Sequence, residues 1–231
     1  MKTLGALCLF FLSYSASADE ALSIRALRHE ESSPAWTISV DYPLFPGQVA
    51  LNERIQGLVD SSIADFKRES AANLRAREAT ASAAEKAAPS PRHQLLIRWR
   101  TSMPGPVELS LLIEAYSWTG GANGRTTLYG INYDLRGKRF LALADIFTNR
   151  PEGWLALVAA RCKAELASRF PPPPGSPPIF EAGSDPDPAN YDCFTFDENA
   201  VTIHFQKYQV APGSAGTPEV ALPRDLAAPR P

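Results

Sequence analysis

The stretch LLIRWRTSMPGPVELSLLIEAYSWTGGANGRTTLYGINYDL, residues 95–135, decides the fold. Leu95, Ile97 and Trp99 recur at every second residue, as do Val107, Leu109, Leu111, Ile113 and Ala115, and then Thr127, Tyr129, Ile131, Tyr133 and Leu135. A period of two is that of a strand with one buried face, so the stretch predicts three strands. Pro104-Gly105 turns the first into the second as a hairpin. The segment Thr119-Gly120-Gly121-Ala122-Asn123-Gly124 is a turn-rich loop before the third, and Arg136-Gly137-Lys138 closes it. On the middle strand Glu108, Ser110, Glu114, Tyr116 and Trp118 point away from the apolar set, which predicts an amphipathic, partly wet second face.

Toward the N-terminus, Trp36, Ile38, Val40 and Tyr42 alternate in the same way, and Leu22 to Arg28 can pair beside them. Pro43 and Pro46-Gly47 break the chain. From Asn52 the period changes: Ile55, Leu58, Val59, Ile63 and Phe66 step by three and four, one apolar stripe of a helix that packs on a sheet. Residues 70 to 92 are rich in Ala, Arg and Glu, with Leu74 the one large apolar side chain before Pro89 and Pro91, and read as an exposed, partly helical connector.

Toward the C-terminus, Asn149 and Glu152 have the spacing of a capping box with Pro151 in the first turn. Leu155, Val158, Cys162 and Leu166 then share a helical face. The prolines from Pro171 end this helix and make residues 171–190 a surface loop. Phe194 and Phe196, the turn Asp197 to Asn199, and Val201, Ile203 and Phe205 form another hairpin, and Val220 and Leu222 a last strand. Strands in runs with two intervening helices predict an α+β domain, an antiparallel sheet with two main helices packed on one face.

Lys2, the apolar run Leu4 to Leu12 and the small-residue triplet Ala16-Ser17-Ala18 have the form of a secretory signal peptide, residues 1–18, far shorter than the ~20 apolar residues of a membrane span. Residues 19–231 then form a single exported domain with its core at about 35–222, periplasmic or secreted, with no membrane span after cleavage. Of the three cysteines, Cys8 leaves with the signal. In an oxidising compartment Cys162 and Cys193 are a natural disulfide, closing a loop of about 32 residues worth roughly 3 to 4 kcal/mol. The alternative is two buried thiols. A formal net charge of −2, from 23 Lys+Arg against 25 Asp+Glu, lacks the basic footprint of a nucleic-acid partner.

The catalytic inventory is thin. His29, His93 and His204 are dispersed, with no zinc-site spacing, no G-x-S-x-G elbow and no phosphate-binding glycine loop. No catalytic residue, metal ligand or cofactor is assigned. His204, opposite Val201, Ile203 and Phe205 on its strand, reads as a surface histidine. A carboxylate pair drawn from Asp41, Glu114, Asp134 and Asp145 leaves an envelope carbohydrate hydrolase as the alternative reading. The strongest constellation is Tyr116 to Gly124, in which aromatic stacking surface adjoins approachable backbone; the alternative is a hairpin turn whose glycines only supply positive φ.

Tyr116 to Gly124 resembles the Tyr-x-Tyr-x-Gly-Gly-Ala-His-Gly signature of the exported domain shared by the lysozyme-sensing anti-sigma factor RsiV and the non-catalytic module of the peptidoglycan deacetylase PdaC, a domain of unknown function. Ile131-Asn132-Tyr133-Asp134-Leu135, Gly137-Lys138, Leu143 to Phe147 and Phe194 to Val210 are similar to the family's later stretches, and Tyr42-Pro43, Asn52 and Ile55 to its opening half. Trp118 and Asn123 stand where the signature has its second aromatic and its histidine. The resemblance implies an exported α+β domain without catalytic residues of its own. The chain has no Asp-Asp dipeptide of a deacetylase domain and no transmembrane or sigma-binding segment, so a free-standing module is expected. Its function is then to bind or sense a cell-wall polymer or a wall-acting protein such as lysozyme, with Tyr116, Trp118, Gly120, Gly121, Asn123 and Gly124 as the contact surface.

Overall fold

The computed structural model describes residues 22–82, 91–171 and 179–226. The expected signal peptide lies outside these residues, as do residues 172–178 of the expected 171–190 surface loop, whereas the described part of that span forms a short helix, Ile179–Ser184, with Phe180 and Ser184 buried. Six strands form one sheet in chain order: β1 (Arg25–Ser32), β2 (Trp36–Leu44), β3 (His93–Pro104), β4 (Glu108–Trp118), β5 (Arg125–Asp134) and β6 (Arg139–Phe140). Between β2 and β3 runs the long helix α1 (Val49–Thr80). After β6 come the single turn α2 (Leu143–Ile146), then α3 (Trp154–Arg169) and α4 (Ile179–Ser184). A second sheet of β7 (Phe194–Phe196), β8 (Ala200–His204) and β9 (Glu219–Pro223) completes the fold.

The α+β class and the alternating strands are as the sequence predicts, but the arrangement differs in two respects. β2 and β3 pair in parallel, Trp36 against His93 and Val40 against Ile97, while every other pairing is antiparallel. The 32-residue α1 carries the chain back along the sheet before β3 begins, so the two strands run the same way. The helices also serve two cores rather than one face of one sheet. Leu51, Ile55, Val59 and Phe66 of α1 are buried against Ile38, Val40, Leu95, Ile97, Leu111 and Ile113, whereas Val158, Cys162 and Leu166 of α3 are buried with Phe194, Phe196, Val201, Ile203 and Leu222 of the small sheet. Helix α3 starts at Trp154, later than the Asn149–Glu152 spacing predicts, because Gly153 takes φ +70 and interrupts the helical path.

The chain break before α1 is tied to the helix by Asn52. Its Nδ2 donates to Phe45 O at 2.8 Å and its Oδ1 accepts from Phe45 N at 2.9 Å. The two sheets meet at a close backbone approach. A Cβ on Gly130 would lie 2.4 Å from Phe194 O and 2.7 Å from Phe194 N, so β7 can cross β5 only over a glycine. Around that point polar groups are matched: Ser110 Oγ donates to Asn132 Oδ1 at 2.7 Å, Asn132 Nδ2 to Phe194 O at 2.9 Å, and Phe196 N to Ser110 Oγ at 2.8 Å. The second face of the large sheet, expected to be partly wet, is in this half a dry interface.

No disulfide joins Cys162 and Cys193. Strand alternation explains the correction to that expected pair. Phe194 points into the α3 cluster that contains Cys162, which turns its neighbour Cys193 the other way, against Leu112 and Leu128 of the large sheet. Burial pushes the Cys193 thiol up to about 12. His204 also differs from expectation. It is 2% exposed, with Nε2 2.8 Å from Thr195 Oγ1 and Nδ1 3.3 Å from Glu219 Oε2, and Arg100 beyond Glu219 at 3.4 Å. Burial lowers its pKa to about 4 against the opposing pull of Glu219.

These features give three expected outcomes. Gly130→Ala destabilises by about 2 kcal/mol or more in urea unfolding, whereas Gly57→Ala, inside α1 with open space around it, stabilises by about 0.5–1 kcal/mol. Thiol alkylation followed by mass analysis finds Cys193 unmodified in the native protein, and finds no Cys162–Cys193 bridge after unfolding without reductant. His204 is neutral when folded, so the unfolded chain binds its proton first as pH falls: stability drops from about pH 6.5 to about pH 4, by on the order of 2–3 kcal/mol, and His204→Gln flattens that part of the profile.

Candidate functional site

The glycine loop is held against the C-terminal half of α1, the segment that the sequence reads as a loosely held connector. After Phe66 the buried stripe of α1 ends in one polar residue, Ser70, and Asn73, one turn on at helical spacing, is exposed. Asn73 Nδ2 donates to Thr119 O at 2.9 Å and to Thr119 Oγ1 at 3.0 Å. Thr119 Oγ1 donates to Glu69 Oε1 at 3.0 Å, and Arg125 lies 3.4 Å from Glu69 Oε2. Hydrogen bonds at the start of the loop thus replace hydrophobic contact, and the helix runs on to Thr80.

His93, the first residue of β3, lies between the helix and the loop. Its Nδ1 is 2.7 Å from Ser70 Oγ, and its ring meets Trp118 edge-on with centroids 5.8 Å apart and an interplanar angle of 82°. Its Nε2 faces Gly120, 3.7 Å from where a Cβ on that glycine would lie. Burial lowers the His93 pKa, and the nearby Glu69 carboxylate opposes it. Trp118 Nε1 donates to Gly121 O at 3.0 Å, which fixes the indole across the loop. Gly120 and Gly121 take φ +103 and +90, a conformation that side chains with a Cβ rarely adopt.

Between these walls is a cleft of about 510 Å³, lined by Leu74 and Arg77 of α1, by Pro91 and His93, and by Trp118 and Gly121. That volume is within the range of roughly 300–1,000 Å³ usual for small-molecule sites. Of the expected contact residues, Trp118, Gly120 and Gly121 line the cleft. Tyr116 and Gly124 do not: a Cβ on Gly124 would meet the Tyr116 ring, so that glycine is the bed on which the ring lies. Gly124 O also accepts from Lys207 Nζ at 2.7 Å, a tie from the segment after β8 to the end of the loop. Asn123 is exposed. His93, Ser70 and Asn73 were not singled out from sequence. The legible signal was a polar continuation of the apolar stripe of α1 opposite a histidine on the buried face of a strand.

Three of the four candidate carboxylates have hydrogen-bond partners, and Asp134 and Asp145 share Arg139. Asp41 accepts from Trp99 Nε1 at 3.0 Å and from Arg28 Nε at 3.3 Å. Asp134 accepts from the N–H groups of Arg136 and Gly137, and Asp145 from Ala142 N at 2.8 Å, with Arg139 beside both. Hydrogen bonds at Ala142 and Arg139 lower the Asp145 pKa. Glu114 is exposed on β4, paired in register with Arg98 and Leu128. Among the described residues no group of three His, Cys, Asp or Glu side chains could hold a metal ion. No described helix is long and apolar enough to cross a membrane.

Residues 144–225 match DUF3298, a family described as "protein of unknown function". The glycine loop precedes this match. The chain is 23% identical over 193 residues to the peptidoglycan-N-acetylmuramic acid deacetylase PdaC of Bacillus subtilis (strain 168), covering 81% of this chain and 37% of PdaC. It therefore spans little more than a third of that relative. Two crystal structures of DUF3298 family proteins share its fold. One is from Pseudomonas aeruginosa PAO1, with 19% identity, 89% of this chain and 92% of that chain covered, and a TM-score of 0.53. The other is from Bacteroides fragilis NCTC 9343, with 18% identity, 88% and 90% covered, and a TM-score of 0.60. The resemblance to PdaC read from the sequence holds, and the chain carries a DUF3298 match on a fold that solved DUF3298 proteins share.

Proposed function

We propose that the chain is an exported, non-enzymatic binding module of the cell envelope, whose ligand is peptidoglycan or a protein that acts on it, such as lysozyme. The observation that carries this reading is the cleft between α1 and the glycine loop. It combines an indole fixed by its own hydrogen bond, a histidine held from behind by Ser70, and backbone without side chains at Gly120 and Gly121. Such a surface suits recognition, because its groups are positioned before a ligand arrives. The similarity to PdaC, whose name places its substrate in peptidoglycan, supports the envelope as the setting. Of the carboxylates that a hydrolase reading would use, Asp41, Asp134 and Asp145 bond Trp99, a turn and a helix start, and Glu114 is exposed on β4.

In this reading residues 1–18 are the export signal, residues 19–231 are one domain, and the protein works in the periplasm or outside the cell. Trp118, Gly120 and Gly121 form the contact surface. Tyr116 and Gly124 shape the loop, and Asn123 stands at its exposed tip.

Co-sedimentation with insoluble peptidoglycan and capture on immobilised lysozyme test the reading. Retention on one of them, weakened at least tenfold by Trp118→Ala in a variant that keeps its melting temperature, is the expected result. Equal retention of variant and wild type removes the cleft from the account, and no retention on either removes the ligand class.

A further inference from the structure

We propose that this cleft binds the N-acetyl group of an amino sugar, taking its secondary amide between His93 and Asn73. The proposal rests on the envelope-binding reading and names the ligand class within it. Ser70 is 0% exposed, and the acceptor within reach of its hydroxyl proton is His93 Nδ1, at 2.7 Å. With Nδ1 accepting, the neutral ring carries its proton on Nε2. His93 is 5% exposed, its Nε2 faces Gly120 at the cleft, and no described residue accepts from it. A donor is therefore presented to the cleft from a nearly enclosed side chain.

Asn73 supplies the matching acceptor. Its amide lies one way round, because Thr119 O is a carbonyl and cannot donate: the Asn73 nitrogen faces it at 2.9 Å, and the oxygen is turned from it. Asn73 lines the cleft, and no described residue donates to its Oδ1. The other polar side chains of the lining are engaged: Trp118 Nε1 with Gly121 O, Thr119 Oγ1 with Asn73 and Glu69, and Arg77 with a partner of its own. One donor and one acceptor do not favour a net charge, since an anion opposes the acceptor and a cation opposes the donor. A trans secondary amide satisfies both, its C=O and N–H pointing in opposite directions. Leu74, Ala76 and Pro91 offer apolar surface for the acyl methyl, and the indole of Trp118, its N–H turned to Gly121, a plane for the sugar ring. A hydroxyl can pair with the same two groups but leaves that apolar surface uncovered.

Isothermal titration of the purified protein with N,N′-diacetylchitobiose and, separately, with cellobiose tests the assignment. The second sugar has hydroxyls where the first has acetamides. The expected result is binding of the acetylated disaccharide tighter by roughly tenfold or more, with the preference lost in His93→Gln and in Asn73→Ala. Residue 73 is exposed on α1, so Asn73→Ala keeps the test sound where His93→Gln fails to fold. Imidazole nitrogen NMR of the wild type is expected to find the His93 proton on Nε2, with that resonance shifted by the acetylated sugar and not by cellobiose. Equal affinity for the two sugars, a preference unchanged in Asn73→Ala, or a proton on Nδ1 overturns the proposal. So does N-acetylalanine methylamide bound as tightly as the sugar, which makes the site a reader of peptides. If neither sugar binds while peptidoglycan or lysozyme retains the protein, the acetamide site is wrong and the binding-module reading stands. If nothing retains it, both are wrong.

Discussion

The structure depends on one close approach, the backbone of β7 lying directly on Gly130 of β5. A Cβ there would come within 2.4 Å of Phe194 O, so the contact exists only because residue 130 has no side chain. Ser110 and Asn132 complete it by satisfying the β7 edge at Phe194 and Phe196, which leaves this dry interface without an unpaired ladder group at those positions. The approach sets where the small sheet sits. From β8 the chain then returns along the large sheet: Gln206 bonds the N–H and C=O of Leu128, and Lys207 reaches Gly124 O. The end of the glycine loop is thus anchored from the small sheet, while its start is anchored by Glu69 and Asn73 of α1. A packing constraint in the middle of the fold becomes a positional constraint at its edge.

Helix α1 joins the two roles. Its first half is an ordinary apolar stripe that covers the sheet, and its second half carries Ser70 and Asn73 on the same side. Ser70 is buried and Asn73 exposed, and a buried polar group is stabilising only when it finds a partner. Their partners are His93 and Thr119, and the arrangement keeps the helix, the start of β3 and the loop in a fixed relation with a cleft between them. At the proposed cleft, rigidity of this kind would lower the conformational cost of binding, because Trp118 and His93 are already positioned.

Much of this was legible in the residues. The strands from Trp36 to Tyr42, from Leu95 to Trp99 and through residues 107–135 announce themselves because a period of two is local. The direction of pairing is not local, so the parallel match of β2 with β3 emerges only once α1 has been seen to run the length of the sheet. Apolar spacing ends near Phe66 although the helix runs on to Thr80, because the next buried position of α1 is the polar Ser70. Cys162 and Cys193 looked like a pair on grounds of compartment and number, but alternation along β7 sends them to different cores. His204 looked solvated from its place on its own strand, and the flanking Thr195 and Glu219 enclose it. The loop from Tyr116 to Gly124 stands out in composition. Its division into a half that lines a cleft and a half that beds Tyr116 required the partners on α1 and beyond β8.

The central claim is that the cleft walled by α1, His93 and the glycine loop is where this protein meets its ligand. The most direct measurement is amide chemical-shift mapping on addition of soluble peptidoglycan fragments. The account predicts shifts concentrated at residues 73–77, at His93 and at residues 118–121. Shifts confined to the opposite part of the large sheet, around Arg28, Ser39 and Arg98, with the cleft silent, would contradict it.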